Sequence, residues 1–405
     1  ILHVIFAHQH MELLLYSYII IIVYLLFKYS KSKTLYIFSP YIIIYLNFVF
    51  NDIVPFLLFY PDIPENLQYT TFTATVINLL FLYAFRKQLL IQTTLDIPSF
   101  SIKLNRKRKI IICCFALFLF CAGMMSGVLT NLLKGNDIED LRRTSEIGLG
   151  IVRDIPMLGI QIVMLVLFLQ KSWNFYRSIA FYSFCLGAFL FLTTGNKGGV
   201  LVGATLFLLF FHFKKRGFKW YEYIAYYLAI PLAAGTLQGI RGGDLTLIAS
   251  QIAVFFSYPI LLYQANSIPI MNSVGTENIF FGEEYYVGLV KIIPRFLWSD
   301  KPLAFDYKLK ELVGYDFDGG GIYTTLSNDL YINFGYSYFI FYILWLLFVH
   351  YIYGIIIDSK RNYYSRIIAL FIILMGGIAS TIGSCEILLL FLLFMMLYYS
   401  RIKTL

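Results

Sequence analysis

Charge is scarce in this chain: 14% of its 405 residues are Asp, Glu, Lys or Arg, against about a quarter in soluble domains. That leaves too little polar surface for a solvated globule, and soluble folds are excluded. Cysteine is also rare. Cys113, Cys114, Cys121, Cys185 and Cys385 lie in apolar runs with neither paired nor metal-ligand spacing, so no disulfide framework and no zinc site follow. Of the five histidines, His3, His8 and His10 precede Met11, which is itself a candidate natural start, and they are assigned no function. Nothing in the sequence requires a metal or a cofactor.

What is abundant is hydrocarbon. Hydrophobic residues make up 59% of the chain and mean hydropathy is +0.73. Runs long enough to cross about 30 Å of bilayer core recur from end to end. They are continuous rather than alternating, which excludes a membrane barrel and leaves helices as the way to satisfy the backbone in lipid. The runs give eleven expected spans: 12–27, 35–49, 70–84, 110–132, 155–170, 178–192, 199–213, 223–237, 332–357, 367–382 and 386–399. The expected fold is an all-α polytopic membrane protein of about 11 transmembrane helices (10–12), one integral domain over 1–405 with no internal repeat.

Basic residues fall in alternate connectors. Lys28, Lys31 and Lys33; Arg86 and Lys87 with Lys103, Arg106, Lys107, Arg108 and Lys109; Lys171 and Arg177; Lys214, Lys215, Arg216 and Lys219; Lys360, Arg361 and Arg366; and Arg401 and Lys403 share one side. By the positive-inside rule that side is the cytoplasm. It holds 21 of the 32 Lys and Arg, while among the acids only Asp96, Glu222 and Asp358 lie there. The formal charge of +9 is therefore topological. Split among short connectors between spans, it makes no nucleic-acid surface.

Two external regions stand out, a smaller loop at 133–154 and a large one at 238–331. Within the latter, residues 245–263 are apolar enough to span. Counting them as a span would put Lys360, Arg361 and Arg366 outside, so a re-entrant or interface-lying helix is expected there. A bilayer protein has little reason to keep so long a polar segment unless it binds or transforms something.

Seven external basic residues stand close to expected membrane ends: Arg142, Arg143, Arg153, Lys197, Arg241, Arg295 and Lys301. An isoprenoid pyrophosphate places its anionic head at that depth, where Arg offers a planar fork and Lys a point charge. The ordinary alternative is snorkelling to lipid phosphates. Lys197 sits in TTGNKGG (193–199), a tight turn whose glycines expose amide donors; it is not a Walker loop. In IIPRFLWSDKP (292–302) two prolines bracket Arg295, Trp298, Asp300 and Lys301, which predicts a rigid extended or turn conformation rather than a continuing helix. In DFDGGGIYTTLSNDLYINFGY (316–336) a triglycine precedes polar residues that run into the next span, as a hinge or lid would.

Together the TGNKGG turn, FGEEYY, IPRFLWSDKP and the terminal NFG before a span resemble the oligosaccharide repeat unit polymerases, the Wzy-type O-antigen polymerase family. The resemblance covers the order of elements over most of the chain and is sharpest over 193–335. It implies a GT-C-like membrane glycosyltransferase on the outer face of a bacterial inner membrane. It also implies a polyprenyl-pyrophosphate-linked oligosaccharide as substrate, and a flippase (Wzx-type) and a chain-length regulator (Wzz-type) as companions in O-antigen, lipopolysaccharide or capsule assembly.

Elementary chemistry sets the roles to be filled. An acceptor hydroxyl needs a base and a departing diphosphate needs cations. Glu283, Glu284, Asp300 and Asp329 are the base candidates, with Glu284 and Asp329 favoured. Arg143, Arg153, Lys197, Arg241, Arg295 and Lys301 are the candidates for pyrophosphate and sugar binding. O-antigen ligases resemble the chain in topology but use a loop histidine, whereas His212 and His350 fall at cytoplasmic ends of spans. A lipid-oligosaccharide flippase would keep ionisable residues at the membrane midplane, and this chain keeps almost none there.

Overall fold

The computed structural model describes residues 2–31, 40–86, 106–125, 259–274, 279–290, 305–315 and 324–358. Isolated positions are added at 182, 183, 185–187, 232, 253, 257, 297, 298, 300–302, 322 and 369. Among the described residues every regular element is helical. They are α1 (Leu2–Lys31), α2 (Pro40–Phe48), α3 (Val54–Phe59), α4 (Glu65–Ala84), α5 (Arg106–Met125), α6 (Ile268–Ser273), α7 (Glu283–Val290), α8 (Phe305–Val313), α9 (Leu326–Phe334) and α10 (Tyr338–Ile357).

Among the described residues one helix, Leu326–Ile355, is long and apolar enough to cross a bilayer. It joins α9 to α10 through a 3-10 turn at Gly335–Ser337. The expected span at 332–357 thus begins one and a half turns early, because polar Ser327, Asn328 and Asp329 are buried against protein and need no water to be helical. Shorter apolar helices run over Met11–Leu25, Ile44–Phe59 and Ile110–Leu119.

α10 is apolar on all sides. Tyr338, Tyr342, Leu346, Val349 and Tyr353 are buried, while Ile340, Leu344, Leu347, Phe348 and Tyr351 face outward. A helix hydrophobic all round belongs in a core or in lipid. On α4 the buried positions include Thr70, Thr71, Ala74, Thr75 and Asn78, while Phe72, Leu80 and Tyr83 are exposed. Small and weakly polar residues inside with large apolar ones outside is the packing expected where lipid is the solvent.

α4 and α10 lie side by side and parallel. The Tyr338 hydroxyl donates to Thr70 O at 2.8 Å and the Tyr342 hydroxyl to Asn78 Oδ1 at 3.1 Å. Further along, His350 stacks on Phe85 at 3.7 Å between ring centroids. The expected spans 70–84 and 332–357 run in the same direction through the membrane, and the helices here are parallel.

Two π-helical turns interrupt the bundle in the same way. Val49–Ile53 leads into α3, with Pro55 at its start, and Tyr263–Ser267 leads into α6, with Pro269 at its start. Proline lacks the N–H that would close a regular ladder onto the turn before it, so the chain takes a wider turn instead. The two interrupted helices meet where Phe59 stacks on Tyr263, 6.3 Å apart and nearly coplanar. The helix expected at 245–263 is described only in its last turn, and it continues through the π turn to Ser273.

The segment expected to form the large external loop carries helices among its described residues. α8 places Phe305 and Leu309 in the core, and α9 adds Leu330, Tyr331 and Ile332. Asn66, at the start of α4, donates through Nδ2 to Met271 O and, at 3.0 Å, to Val274 O. It thereby takes up carbonyls that α6 leaves unpaired at its C-terminal end.

Candidate functional site

FGEEYY and NFG, fifty residues apart in sequence, form one structure. The Phe280 amide donates to Ile332 O at 3.1 Å. Gly282 has φ +81° and sits so close to the Phe334 ring that a Cβ would approach it to 3.3 Å. Gly335 has φ +57°, and a Cβ there would come within 2.5 Å of Ile279 Cδ1. The two glycines thus let the Ile279–Gly282 turn lie flat on the end of α9. Phe281, just before Gly282, is a non-glycine residue at φ +50°, and its side chain is 84% exposed. Backbone of this kind is strained and persists where its surroundings impose it.

The turn delivers Glu284 to α9. Asn333 Nδ2 donates to Glu284 Oε2 at 2.8 Å and to Asp329 O at 2.9 Å, while the Glu284 amide donates to Asn333 Oδ1 at 3.3 Å. A single asparagine side chain therefore ties the Glu284 carboxylate to the backbone of Asp329, the other base favoured from the sequence. Burial pushes the Glu284 carboxyl up to about 7, and the Asn333 donor opposes that rise without cancelling it. A carboxyl placed there is divided between its two forms at neutral pH, which suits proton transfer.

Asp329 is buried. Its Oδ1 accepts from Thr324 Oγ1, and its Oδ2 has no hydrogen-bond partner among the described residues. One oxygen is thereby fixed, and the other is buried. Asn328 beside it accepts from Thr70 Oγ1 at 3.2 Å.

The sequence reading misses Asp52. This residue lies in the π turn after α2, in a connector that the threading puts outside but that was passed over among the external regions. It is buried, and its Oδ1 accepts from Thr325 Oγ1 at 2.6 Å and Ser327 Oγ at 2.8 Å. The available signal was Asn51–Asp52 in an otherwise apolar helix.

Of the other base candidates, Glu283 pairs with Lys308 and Asp300 is exposed. Among the expected pyrophosphate ligands, Lys301 is half-buried and its amide closes a turn onto Trp298 O at 3.3 Å. This is the turn that Pro294 and Pro302 led one to expect. Arg143, Arg153, Lys197, Arg241 and Arg295 lie outside the described residues, as do the 133–154 loop and the triglycine. Among the described residues, no three His, Cys, Asp or Glu side chains group as metal ligands would.

No protein-family model, no curated protein and no solved structure matches the chain.

Proposed function

We propose that this chain is a membrane glycosyltransferase that joins lipid-pyrophosphate-linked oligosaccharide repeat units into a surface polysaccharide. In this reading it is a multi-pass, GT-C-like protein of about 11 spans in a bacterial inner membrane, working on the outer face. It takes repeat units delivered by a flippase and answers to a chain-length regulator. The observation that carries the reading is the Glu284 carboxylate held by Asn333 against the first turns of the apolar helix Leu326–Ile355, where Asn333 also bonds the Asp329 carbonyl. The likeness to the repeat unit polymerases supports the choice of substrate.

The chemistry follows from those groups. The acceptor sugar's hydroxyl oxygen attacks the anomeric carbon of the donor chain, a new C–O bond forms, and the bond to the diphosphate lipid breaks. Glu284, in its ionised form, takes the hydroxyl proton. Asp329 is proposed to orient the acceptor from beside Glu284. The departing diphosphate carries the bond's electron pair, and Arg143, Arg153, Lys197, Arg241, Arg295 and Lys301 are proposed to neutralise it.

Deleting the gene and resolving surface glycan on a ladder gel tests the reading. The expected result is a single repeat unit on the anchor, because units are still made and flipped but not joined. Loss of surface single units would point to a flippase. Long carrier-linked chains that never reach their final anchor would point to a ligase.

A further inference from the structure

Asp52 takes no part in the chemistry just described, yet it ties the site to the bundle. It sits in the π turn between α2 and α3, and the two hydroxyls that reach its Oδ1 come from the first turn of α9. Thr325 is the N-cap of that helix, with extended backbone at φ −81° and ψ 161°. A threonine there ordinarily turns its hydroxyl onto the helix's own free amides. Thr325 makes no such bond. Its hydroxyl goes to Asp52, as does that of Ser327.

What Asp52 holds, the site inherits. Thr324 donates to Asp329 Oδ1, and the Asp329 amide donates to Thr325 O at 2.8 Å. The placement of Thr325 therefore sets the placement of Asp329. One turn further on, Asn333 bonds Asp329 O and carries the same placement to Glu284.

We infer that Asp52 is a positioning residue for the glycosyl-transfer site, holding the first turn of α9 so that Asp329 and Asn333 face Glu284. The inference rests on the function proposed above.

Both hydroxyls use one oxygen of Asp52, which makes a clean test possible. Asp52→Asn keeps a carbonyl oxygen for both donors and removes the charge. Asp52→Ala removes the acceptor. With full-length protein in lipid nanodiscs and lipid-linked repeat units as substrate, Asp52→Ala should slow chain growth on the order of a hundredfold, as loss of placement does elsewhere. The acid limb of its pH–rate profile should move to higher pH, because Asn333 no longer favours the Glu284 carboxylate. Asp52→Asn should run near the wild-type rate with the limb unmoved. Where Asp52→Ala does not reach the membrane, Thr325→Val combined with Ser327→Ala removes both donors and carries the same test.

Hydrogen exchange over Leu326–Phe334 decides the point without reference to activity. Protection should fall in Asp52→Ala and persist in Asp52→Asn. Wild-type protection and rate in Asp52→Ala would overturn the inference, as would equal damage from both variants, since charge and not placement would then matter. The gene deletion and Glu284→Gln judge the glycosyl-transfer reading separately. An inactive Glu284→Gln beside a fully active Asp52→Ala would leave that reading standing and this inference refuted.

Discussion

Replacing Asn333 by alanine removes the donor that Glu284 Oε2 accepts at 2.8 Å and leaves the carboxyl buried. Burial already holds the carboxyl near 7 against that donor, so the loss acts in the same direction as burial. A hydrogen bond to a charged group contributes about 1.5–3 kcal/mol, and one pKa unit is about 1.4 kcal/mol, which together give a rise of about one to two units. With water returning part of this in the space alanine leaves, the expected shift is about one unit. The ionised fraction at pH 7 then falls from about a half to about a tenth. Beside any loss of placement, the pH-dependent part of the slowing in Asn333→Ala should be about fivefold at pH 7 and vanish near pH 9, because the base is still there and only needs deprotonating. Glu284→Gln has no base to recover and should lose on the order of 10²–10⁴ at every pH. The assay is the initial rate of joining lipid-linked repeat units by purified protein between pH 5.5 and 9.5. An unshifted acid limb in Asn333→Ala, or a Glu284→Gln rate close to wild type, would refute the reasoning.

The same carboxyl links pH to stability. Its folded value lies above the ordinary 4.5, so between about 4.5 and 7 the folded protein holds a proton the unfolded chain has lost. Stability therefore falls as pH rises through that window, by up to about 3 kcal/mol from this group. Glu284→Gln should accordingly melt higher than wild type at pH 8 and alike at pH 4.5, measured by thermal shift in detergent. Gly335→Ala should lose about 1–3 kcal/mol of stability, since φ +57° suits glycine alone and the new methyl would meet Ile279; an unchanged melting temperature would deny the close docking of the Ile279–Gly282 turn. A membrane-impermeant thiol reagent should label Glu284→Cys and Lys301→Cys in intact cells and spare Lys107→Cys and Lys215→Cys, and labelling of position 284 from the cytoplasmic side alone would remove the outer-face assignment. Arg241→Ala and Arg295→Ala should each slow transfer roughly ten- to a hundredfold if they hold pyrophosphate, a loss of about 1.5–3 kcal/mol, with Arg→Lys rescuing a purely electrostatic role. Wild-type ladders from both at normal membrane levels would end the cradle idea.

Helical character and the shared direction of α4 and α10 were legible in the sequence, because apolar runs and basic connectors record where lipid and cytoplasm lie. Glu284 and Asp329 were legible as residue types in a segment expected outside. The bond that holds Glu284 to α9 was not, since Asn333 is an unremarkable position in one sequence until α9 turns it toward Glu284. Asp52 was harder still. Its partners lie 273 and 275 residues away, and a single chain carries no mark of such a pairing. FGEEYY and NFG were each visible as a motif, but their glycines gave no sign that one turn closes on the other. Polar Thr324, Thr325, Ser327 and Asp329 look like loop residues only while their partners are unseen.

Those partners also explain how a polar site can stand at the end of apolar helices. In lipid, two apolar helices gain little from touching, so polar contacts and close backbone approach fix their register. Thr70 is used twice over: its carbonyl takes the Tyr338 hydroxyl and its own hydroxyl reaches Asn328, beside Asp329. Asn78 receives Tyr342 two turns below. The same seam that locks α4 to α10 therefore continues upward into α9, and Asp52 joins it from the α2–α3 side. Asp329 is held by helices whose mutual register is set within the apolar bundle, and Glu284 is tied to them through Asn333. A site that had to order itself for each transfer would lose that entropy every cycle. In the proposed reading the carboxylates are in place before the sugars arrive.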